Sequence, residues 1–288
     1  MALQLLLSGL ATGSLYAITA LGIVLIFTNT RVINLAQGDF GMMGAFMALM
    51  AMNSGLSYIQ AIIIAVIGVV VLAVVMQVLV MRWIEEADWL TLFSATLGVY
   101  YVLHGVSGLL WGRDTKAFPD PFPKDPVNIF GAMISKGNLM VMAVALLVGA
   151  ALFLFLKYTN QGIAMRAMKE DRYCASLMGI PIRRVVTLTW VVGGILAAVS
   201  GLLLAPIIWV SPGMMDTVLV KGYAAAIFGG MYSMPGAILG ALFIGVAENL
   251  AGGYFGAEYK VTIAFILIIV ILAIKPTGLM GGSKRREI

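Results

Sequence analysis

Residues 40–81 read FGMMGAFMALMAMNSGLSYIQAIIIAVIGVVVLAVVMQVLVM and contain no charged side chain. A helix needs about 20 apolar residues to cross the hydrocarbon core of a bilayer. The run is therefore long enough for two crossings, and Asn53-Ser54-Gly55 provides the break between them. This stretch predicts two consecutive membrane helices.

The same pattern continues along the chain. No charge precedes Arg31, and none lies between Arg184 and Asp216. Apolar residues make up 61% of the 288 positions and charged residues only 11%, whereas soluble domains carry about 25% charged residues. We predict an all-α, polytopic transmembrane helical bundle that forms a single domain over residues 1–288.

The charge-free runs place the membrane spans. We expect them at about 4–28, 38–53, 58–81, 89–111, 138–156, 185–206, 217–232, 235–253 and 258–274. The span 217–232 is short and ends in Gly229-Gly230, so it is either a full crossing or a discontinuous helix covered by protein. The predicted count is therefore eight or nine, and nine spans put the N-terminus outside.

The loops predict the orientation of the bundle. Segment 157–184 has six basic and two acidic residues, a balance of +4, and the tail 284–287 has three basic and one acidic, a balance of +2. The loop 112–137, which is rich in proline, has four basic and three acidic residues, a balance of +1. Positive loops favour the cytoplasm. We expect segment 157–184 and the C-terminus inside and loop 112–137 outside, and the net charge of +5 indicates no nucleic-acid partner.

Ionisable residues inside the apolar runs have a cost of at least about 2.5–3.5 kcal/mol on insertion scales. Lys221 and Glu248 fall in two neighbouring spans, and we expect them to form an intramembrane ion pair. Asp39 is placed near the end of its span. A proton-coupled carrier needs a carboxylate deep in the membrane, so this placement argues against a carrier.

Enzymatic chemistry is not expected of this chain. Gly105-Val106-Ser107-Gly108 resembles the nucleophile motif of intramembrane serine proteases, but the one histidine, His104, lies on the same span and cannot act as a base from another helix. A single cysteine, Cys174, excludes an intramolecular disulfide and argues against a metal centre. The sequence has no phosphate-binding G-x-x-x-x-G-K-[ST] motif. We therefore predict no catalytic residue, no metal and no bound cofactor.

Four segments carry a resemblance to a known family. They are INLAQGDF at 33–40, residues 162–180, KGYAAAIFGGMYSMPGAILG at 221–240 and KPTGLMG at 275–281. In this order they resemble the permease subunits of branched-chain amino-acid ABC importers, in particular the shorter of the two permeases in such systems.

The resemblance implies a short cytoplasmic coupling helix that docks on an ATPase. The family pattern is Glu-Ala-Ala-x-x-x-Gly, of which this chain keeps Ala175 and Gly179, with Tyr173 and Cys174 in place of the first two residues. This departure leaves the polar contacts open. The ATPase-coupling residues expected from the resemblance are Arg166, Ala167, Lys169, Glu170, Asp171, Ala175 and Gly179.

The resemblance also implies partners, location and substrate. The partners would be a second homologous permease, two ABC ATPases that bind ATP and magnesium, and an external binding protein, all at the bacterial inner membrane. Asn34, Gln37 and Asp39 would line or gate the translocation path, although a structural hydrogen-bonding role is equally open. The expected substrates are leucine, isoleucine and valine; the alternatives are urea or short amides, or a secondary carrier that works without an ATPase.

Overall fold

The computed structural model describes residues 1–120, 126–129 and 132–259, with positions 262, 265, 266, 269, 270, 273, 275 and 278–280 beyond them. Helices dominate this part of the chain, and its one sheet is an antiparallel pair, β1 (Pro126–Ile129) and β2 (Ala132–Ser135). The all-α prediction is confirmed. The ten helices of the described residues are α1 (Ala2–Thr30), α2 (Gln37–Asn53), α3 (Tyr58–Leu79), α4 (Trp89–Trp111), α5 (Lys136–Tyr158), α6 (Asn160–Glu170), α7 (Arg172–Leu177), α8 (Ile182–Ile208), α9 (Asp216–Gly229) and α10 (Met234–Phe255).

The first eight predicted spans each match a helix to within a few residues. Six helices of the described part, α1, α3, α4, α5, α8 and α10, are long and apolar enough to cross a membrane. The helices α2 and α9 have 17 and 14 residues, or about 26 and 21 Å at 1.5 Å per residue, against a hydrocarbon core of about 30 Å. The ninth predicted span, 258–274, and the tail 284–287 lie largely outside the described residues. The count of eight or nine spans stays a prediction.

Local sequence explains where several helices begin. Ser57 accepts a hydrogen bond from the backbone N–H of Gln60, whose side chain caps in return, so a capping box starts α3. Ser135 caps α5 through Asn138, and Ser233 caps α10 through Gly236. At the start of each of these three helices, a serine hydroxyl therefore accepts a hydrogen bond from a backbone N–H that lipid could not satisfy.

Small residues allow the central helices to pack closely. A side chain on Gly9 or Gly13 of α1 would collide with the backbone of α10 near Gly245, and one on Gly201 of α8 would collide with Gly41 of α2. Lipid offers no hydrophobic incentive for helix association, so close backbone packing supplies it. The helices α3, α4 and α5 pack around this centre, and most of their side chains are partly buried or exposed.

The bundle contains an internal inverted repeat. Helices α1 and α8 are antiparallel, since Thr19 contacts Ser200 while Ile26 contacts Gly193. Each ends in a non-glycine residue with a left-handed backbone, Arg31 (φ 61°) or Trp209 (φ 65°). Each is then followed by a short connector and a short helix, α2 or α9. Helix α3 packs on α8 as α10 packs on α1. Units α1–α3 and α8–α10 are therefore related, and their short helices occupy equivalent places.

Candidate functional site

The chain re-enters the bundle after α1. The segment 31–36 is not helical, and Val32, Asn34 and Ala36 are buried in it. The Thr96 hydroxyl of α4 donates to the carbonyl oxygen of Ile33 at 2.8 Å. This connector therefore runs back along α4, and α2 begins in the interior.

Asn34 and Gln37 form a buried hydrogen-bonded chain at the start of α2. Asn34 Nδ2 donates to Gln37 Oε1 at 3.1 Å, and Gln37 Nε2 donates to the carbonyl oxygen of Gly193, in the middle of α8, at 2.9 Å. Both side chains are about 1% exposed. These hydrogen bonds fix the inner end of α2 to α8. A movement of α2 must therefore break them or move α8 together with α2.

Asp39 lies deeper in the bundle than the sequence suggested. It is in the first turn of α2 and only 3% exposed, and its Oδ1 lies 3.6 Å from Nδ1 of His104. His104 precedes the end of α4 by seven residues, or about 10 Å. Farther along, Phe46 stacks on Trp111 at 4.9 Å, so α2 and α4 run parallel. Asp39 is near the end of its span, as the sequence predicted, but that end of α2 lies inside the bundle.

The N-terminal ends of the two short helices meet beside Asp39. Met215, immediately before α9, packs against Gly38 and Gly41 of α2. Asp216 lies in the first turn of α9, and the Tyr100 hydroxyl donates to its Oδ1 at 3.3 Å. Helix N-termini carry partial positive charge that stabilises carboxylates. The site thus gathers two acidic residues and two helix ends inside the bundle.

The structure brings Lys221 and Glu248 together. Lys221 Nζ lies 2.5 Å from Glu248 Oε1, and the Tyr16 hydroxyl donates to Glu248 Oε2 at 2.9 Å. Lys221 Nζ also donates to the Tyr16 hydroxyl at 3.1 Å. Lys221 and Glu248 are 6% and 2% exposed. This triad joins α9, α10 and α1 in the buried interior of the bundle, and the two charged residues lie as close as the predicted ion pair requires.

A cavity of about 380 Å³ opens beside His104. It lies between α4 and the connector that precedes α9, and its lining residues are His104, Gly105, Gly108, Leu109, Arg113 and Pro212. His104 is about one-third exposed. Asp39 lies on the far side of its imidazole, so His104 separates the cavity from the buried carboxylate.

The basic segment 157–184 forms α6 and α7 at the other end of the bundle. Lys169 Nζ donates to the carbonyl oxygen of Tyr232 at 2.8 Å, in the turn between α9 and α10. Arg31 hydrogen-bonds to the Tyr232 hydroxyl and lies over its ring, 5.0 Å from the centroid. Arg172 pairs with Glu85 at 2.8 Å. The segment is therefore connected to α1, to the α3–α4 loop and to the α9–α10 turn.

Helix α7 presents an apolar tip, which sequence reasoning missed. Tyr173, Leu177 and Met178 are 71%, 69% and 83% exposed. Ala175 is only 4% exposed, so this expected docking residue packs against the chain itself. An apolar group within a basic segment was the available signal. The prediction instead favoured the preceding residues Arg166, Ala167, Lys169, Glu170 and Asp171, four of which are charged.

Two further predicted residues of this segment shape α7. Asp171 Oδ1 accepts the backbone N–H of Cys174 at 2.8 Å and caps the helix, and this bond lowers the pKa of Asp171 below its usual value. Gly179 adopts φ 80°, a conformation that side chains rarely take. It turns the chain away into α8. Arg166 is exposed and donates to the carbonyl oxygen of Lys157 at 3.3 Å.

Comparison with known proteins identifies the family. A model of the family described as branched-chain amino acid transport system / permease component matches residues 5–272. The chain belongs to this family. It is 32% identical to the high-affinity branched-chain amino acid transport system permease protein LivH of Escherichia coli K12 over 99% of this chain and 97% of LivH. It is 31% identical to BraD, the corresponding permease protein of Pseudomonas aeruginosa, over 99% and 98% of the two chains.

One solved structure supports the fold of this permease. It is PsaBC from Streptococcus pneumoniae in complex with Fab, with a TM-score of 0.50 and 16% sequence identity, over 94% of this chain and 91% of that one. At this identity the likeness concerns the fold alone. The family and the fold together make this chain a multi-pass permease subunit of an ABC import system.

Proposed function

We propose that this permease carries leucine, isoleucine and valine across the bacterial cytoplasmic membrane, together with a second homologous permease. An external binding protein delivers the amino acid, and two ABC ATPases that bind ATP and magnesium drive the transport. The observation that carries the proposal is the identity of 31–32% over nearly the whole length to permeases named for high-affinity branched-chain amino acid transport. In the proposed orientation, α6 and α7 face the cytoplasm and the loop after α4 faces outside.

The tip of α7 supports the docking part of the proposal. The short capped helix α7 and the residue after it expose three large apolar side chains, those of Tyr173, Leu177 and Met178. Interfaces place apolar and aromatic anchors at their centre and charges at the rim. The tip would fill a groove on an ATPase, and Arg166, Glu170 and Asp171 would surround it. Ala175 and Gly179 would hold the shape of the tip.

The contacts of the basic segment give docking a mechanical route. Lys169 holds the carbonyl of Tyr232, and Arg31 holds the hydroxyl of the same residue. A displacement of α6 and α7 by the ATPase therefore acts on the α9–α10 turn and on the end of α1. The short helix α2 begins shortly after the end of α1, and the short helix α9 ends at this turn. ATP would shift the equilibrium between two states of the transporter, because the ATPases bind it better in one of these states.

The short helices supply the proposed gate. Asn34, Gln37 and Asp39 lie where α2 meets α8 and α9. Discontinuous helices at a repeat interface are the usual place of substrate sites in transporters. A rotation of α2 would break the bond from Gln37 to Gly193 and open a path along the repeat interface.

Reconstitution tests this function. Proteoliposomes that hold both permeases and both ATPases should take up L-leucine only with internal ATP and external binding protein, and uptake should fall when valine competes. Liposomes without the ATPases are the control, since a secondary carrier would still transport under an ion gradient. ATP-driven uptake of urea or acetamide in preference to leucine would overturn the substrate assignment and leave the importer architecture standing.

A further inference from the structure

The cavity beside His104 and the buried Asp39 have charges that match an α-amino acid. We propose that the outer cavity between α4 and the connector before α9 is a reception site for a zwitterionic α-amino acid, with Arg113 for the carboxylate and the Asp39–Asp216 pair for the ammonium group. This assignment rests on the proposed function, because it names where that substrate enters.

Asp39 is a buried carboxylate that can accept further hydrogen bonds. It is 3% exposed, and its Oδ2 has no hydrogen-bond partner among the described residues. The base within ion-pair distance of it in that part of the chain is His104, at 3.6 Å, a distance too long for a hydrogen bond. Buried carboxylates in membrane helices are costly and usually mark a functional site. A primary ammonium group has three donors and satisfies such a carboxylate.

Asp216 strengthens the preference for a cation. It lies in the first turn of α9, next to Met215, which packs against Gly38 of α2 beside Asp39. The Tyr100 hydroxyl occupies Asp216 Oδ1 at 3.3 Å. Two neighbouring carboxylates attract a cation more than either does alone. The positive ends of two helices offset part of the repulsion between the two carboxylates.

The wall of the cavity is built to admit a ligand. Gly105 and Gly108 form part of it, and a side chain at Gly105 would meet nothing within 4 Å. Arg113 packs over Gly108, one turn beyond His104. Arg113 therefore lines the cavity about one turn from His104, and Asp39 lies beside the same imidazole, 3.6 Å from its Nδ1. The volume of about 380 Å³ falls within the range of roughly 300–1,000 Å³ for small-molecule sites.

Arg113 suits the carboxylate of the ligand. A guanidinium group binds carboxylates through two parallel hydrogen bonds. The exposed Arg113 would hold the carboxylate of the amino acid at the rim, while the ammonium group points inward. His104 stands between, and a rotation of its imidazole away from Asp39 would let the ammonium group replace it. The permease would thus check both charges of the substrate before translocation.

Uptake by the complete reconstituted importer gives the first test. We expect Asp39→Asn and Arg113→Gln each to lower L-leucine uptake at saturating binding protein by about tenfold or more. Stimulation of ATP hydrolysis by the binding protein should stay within about twofold of wild type, which a folding or docking defect would not allow. Asp114→Asn, which removes a charge next to Arg113, is the matched control and should transport normally. Wild-type uptake by Asp39→Asn would overturn the proposal, as would equal loss of uptake and ATP hydrolysis.

Thiol labelling gives a second test that does not depend on transport. In a Cys174→Ser background, Gly105→Cys places a thiol on the cavity wall, and 2-aminoethyl methanethiosulfonate labels it in membranes that hold the assembled importer. We expect L-leucine to slow labelling more than 4-methylpentanoate, which lacks the ammonium group, and Asp39→Asn to abolish the difference. Gly98→Cys, two turns earlier on α4 with equally open surroundings, is the control.

The two tests separate the possible failures. Protection by leucine without ATP-driven uptake would overturn the proposed function and retain the site. Uptake without protection, or equal protection by 4-methylpentanoate, would retain the proposed function and overturn the site.

Discussion

Removal of one partner from the buried triad of Tyr16, Lys221 and Glu248 should destabilise the bundle strongly. Lys221→Met removes the ammonium group that lies 2.5 Å from Glu248 Oε1 and leaves that carboxylate buried. Loss of one member of a buried ion pair costs about 3–5 kcal/mol, because the other charge keeps its desolvation penalty. Both charged side chains are more than nine-tenths buried, so the upper part of that range applies.

The double variant sharpens this prediction. Lys221→Met with Glu248→Leu removes both charges, and such apolar replacements of buried pairs are often neutral or stabilising. We expect the double variant to recover most of the loss. Tyr16→Phe should lie between them, at about 2 kcal/mol, since it deletes one hydrogen bond to a charged acceptor and one from a charged donor.

Thermal denaturation of the detergent-solubilised permease measures this order. At roughly 2–4 °C per kcal/mol for chains of this size, a loss of about 4–5 kcal/mol in Lys221→Met should lower the midpoint by about 8–20 °C. Equal midpoints for wild type and Lys221→Met would refute the reasoning, as would a double variant less stable than both single ones. Either result would mean that water reaches the pair.

Three further predictions concern packing, the cytoplasmic contacts and the cap of α7. Gly201→Val should prevent assembly of the bundle because its side chain would collide with the backbone of α2, whereas Gly98→Val, which meets nothing within 4 Å, should fold; size-exclusion profiles of the two proteins decide this. Arg172→Glu should lower ATPase-coupled uptake, and Glu85→Arg in the same chain should restore it. The free energy of unfolding should change by at most about 1 kcal/mol, since the ion pair is partly exposed. Failure of the double variant to recover uptake would contradict a role of this ion pair in coupling. Asp171→Ala should weaken ATPase co-purification and Asp171→Asn should not, because asparagine also caps helices. The folded pKa of Asp171 is depressed, so its cap stabilises α7 fully above the unfolded pKa of about 3.9 and loses this effect only as the pH falls through the folded value. Co-purification of the ATPase should therefore not vary with pH near neutrality.

The sequence predicted the helices better than their depth. Charge-free runs and Asn-Ser-Gly or Gly-Gly breaks locate α1 to α5 and α8 to α10, because apolar length is what a bilayer selects. The internal start of α2 was not predictable in this way. Segment 31–36 is as apolar as a helix end, and only the contacts of Ile33 with Thr96 and of Gln37 with Gly193 show that it folds inward.

The candidate site was predicted in its members more than in its arrangement. Lys221 and Glu248 could be paired from sequence, since two opposite charges in apolar runs need each other. Asp216, Tyr100 and His104 could not be grouped around Asp39, because they come together only when α2 packs against α4 and meets the start of α9. At α7, residue character separated polar from apolar positions but did not tell which side chains face outward.

Co-purification from the native membrane tests the central claim most directly, which is that the exposed tip of α7 docks this permease on an ATPase. The tagged wild-type chain should retain a second permease and two ABC ATPases. Leu177→Asp, which places a charge at the centre of the tip, should keep the second permease and lose the ATPases. Thr115→Asp, which adds the same charge to the exposed loop after α4, should keep both. Recovery of the ATPases with Leu177→Asp, or of the wild-type chain without any ATPase, would contradict the account.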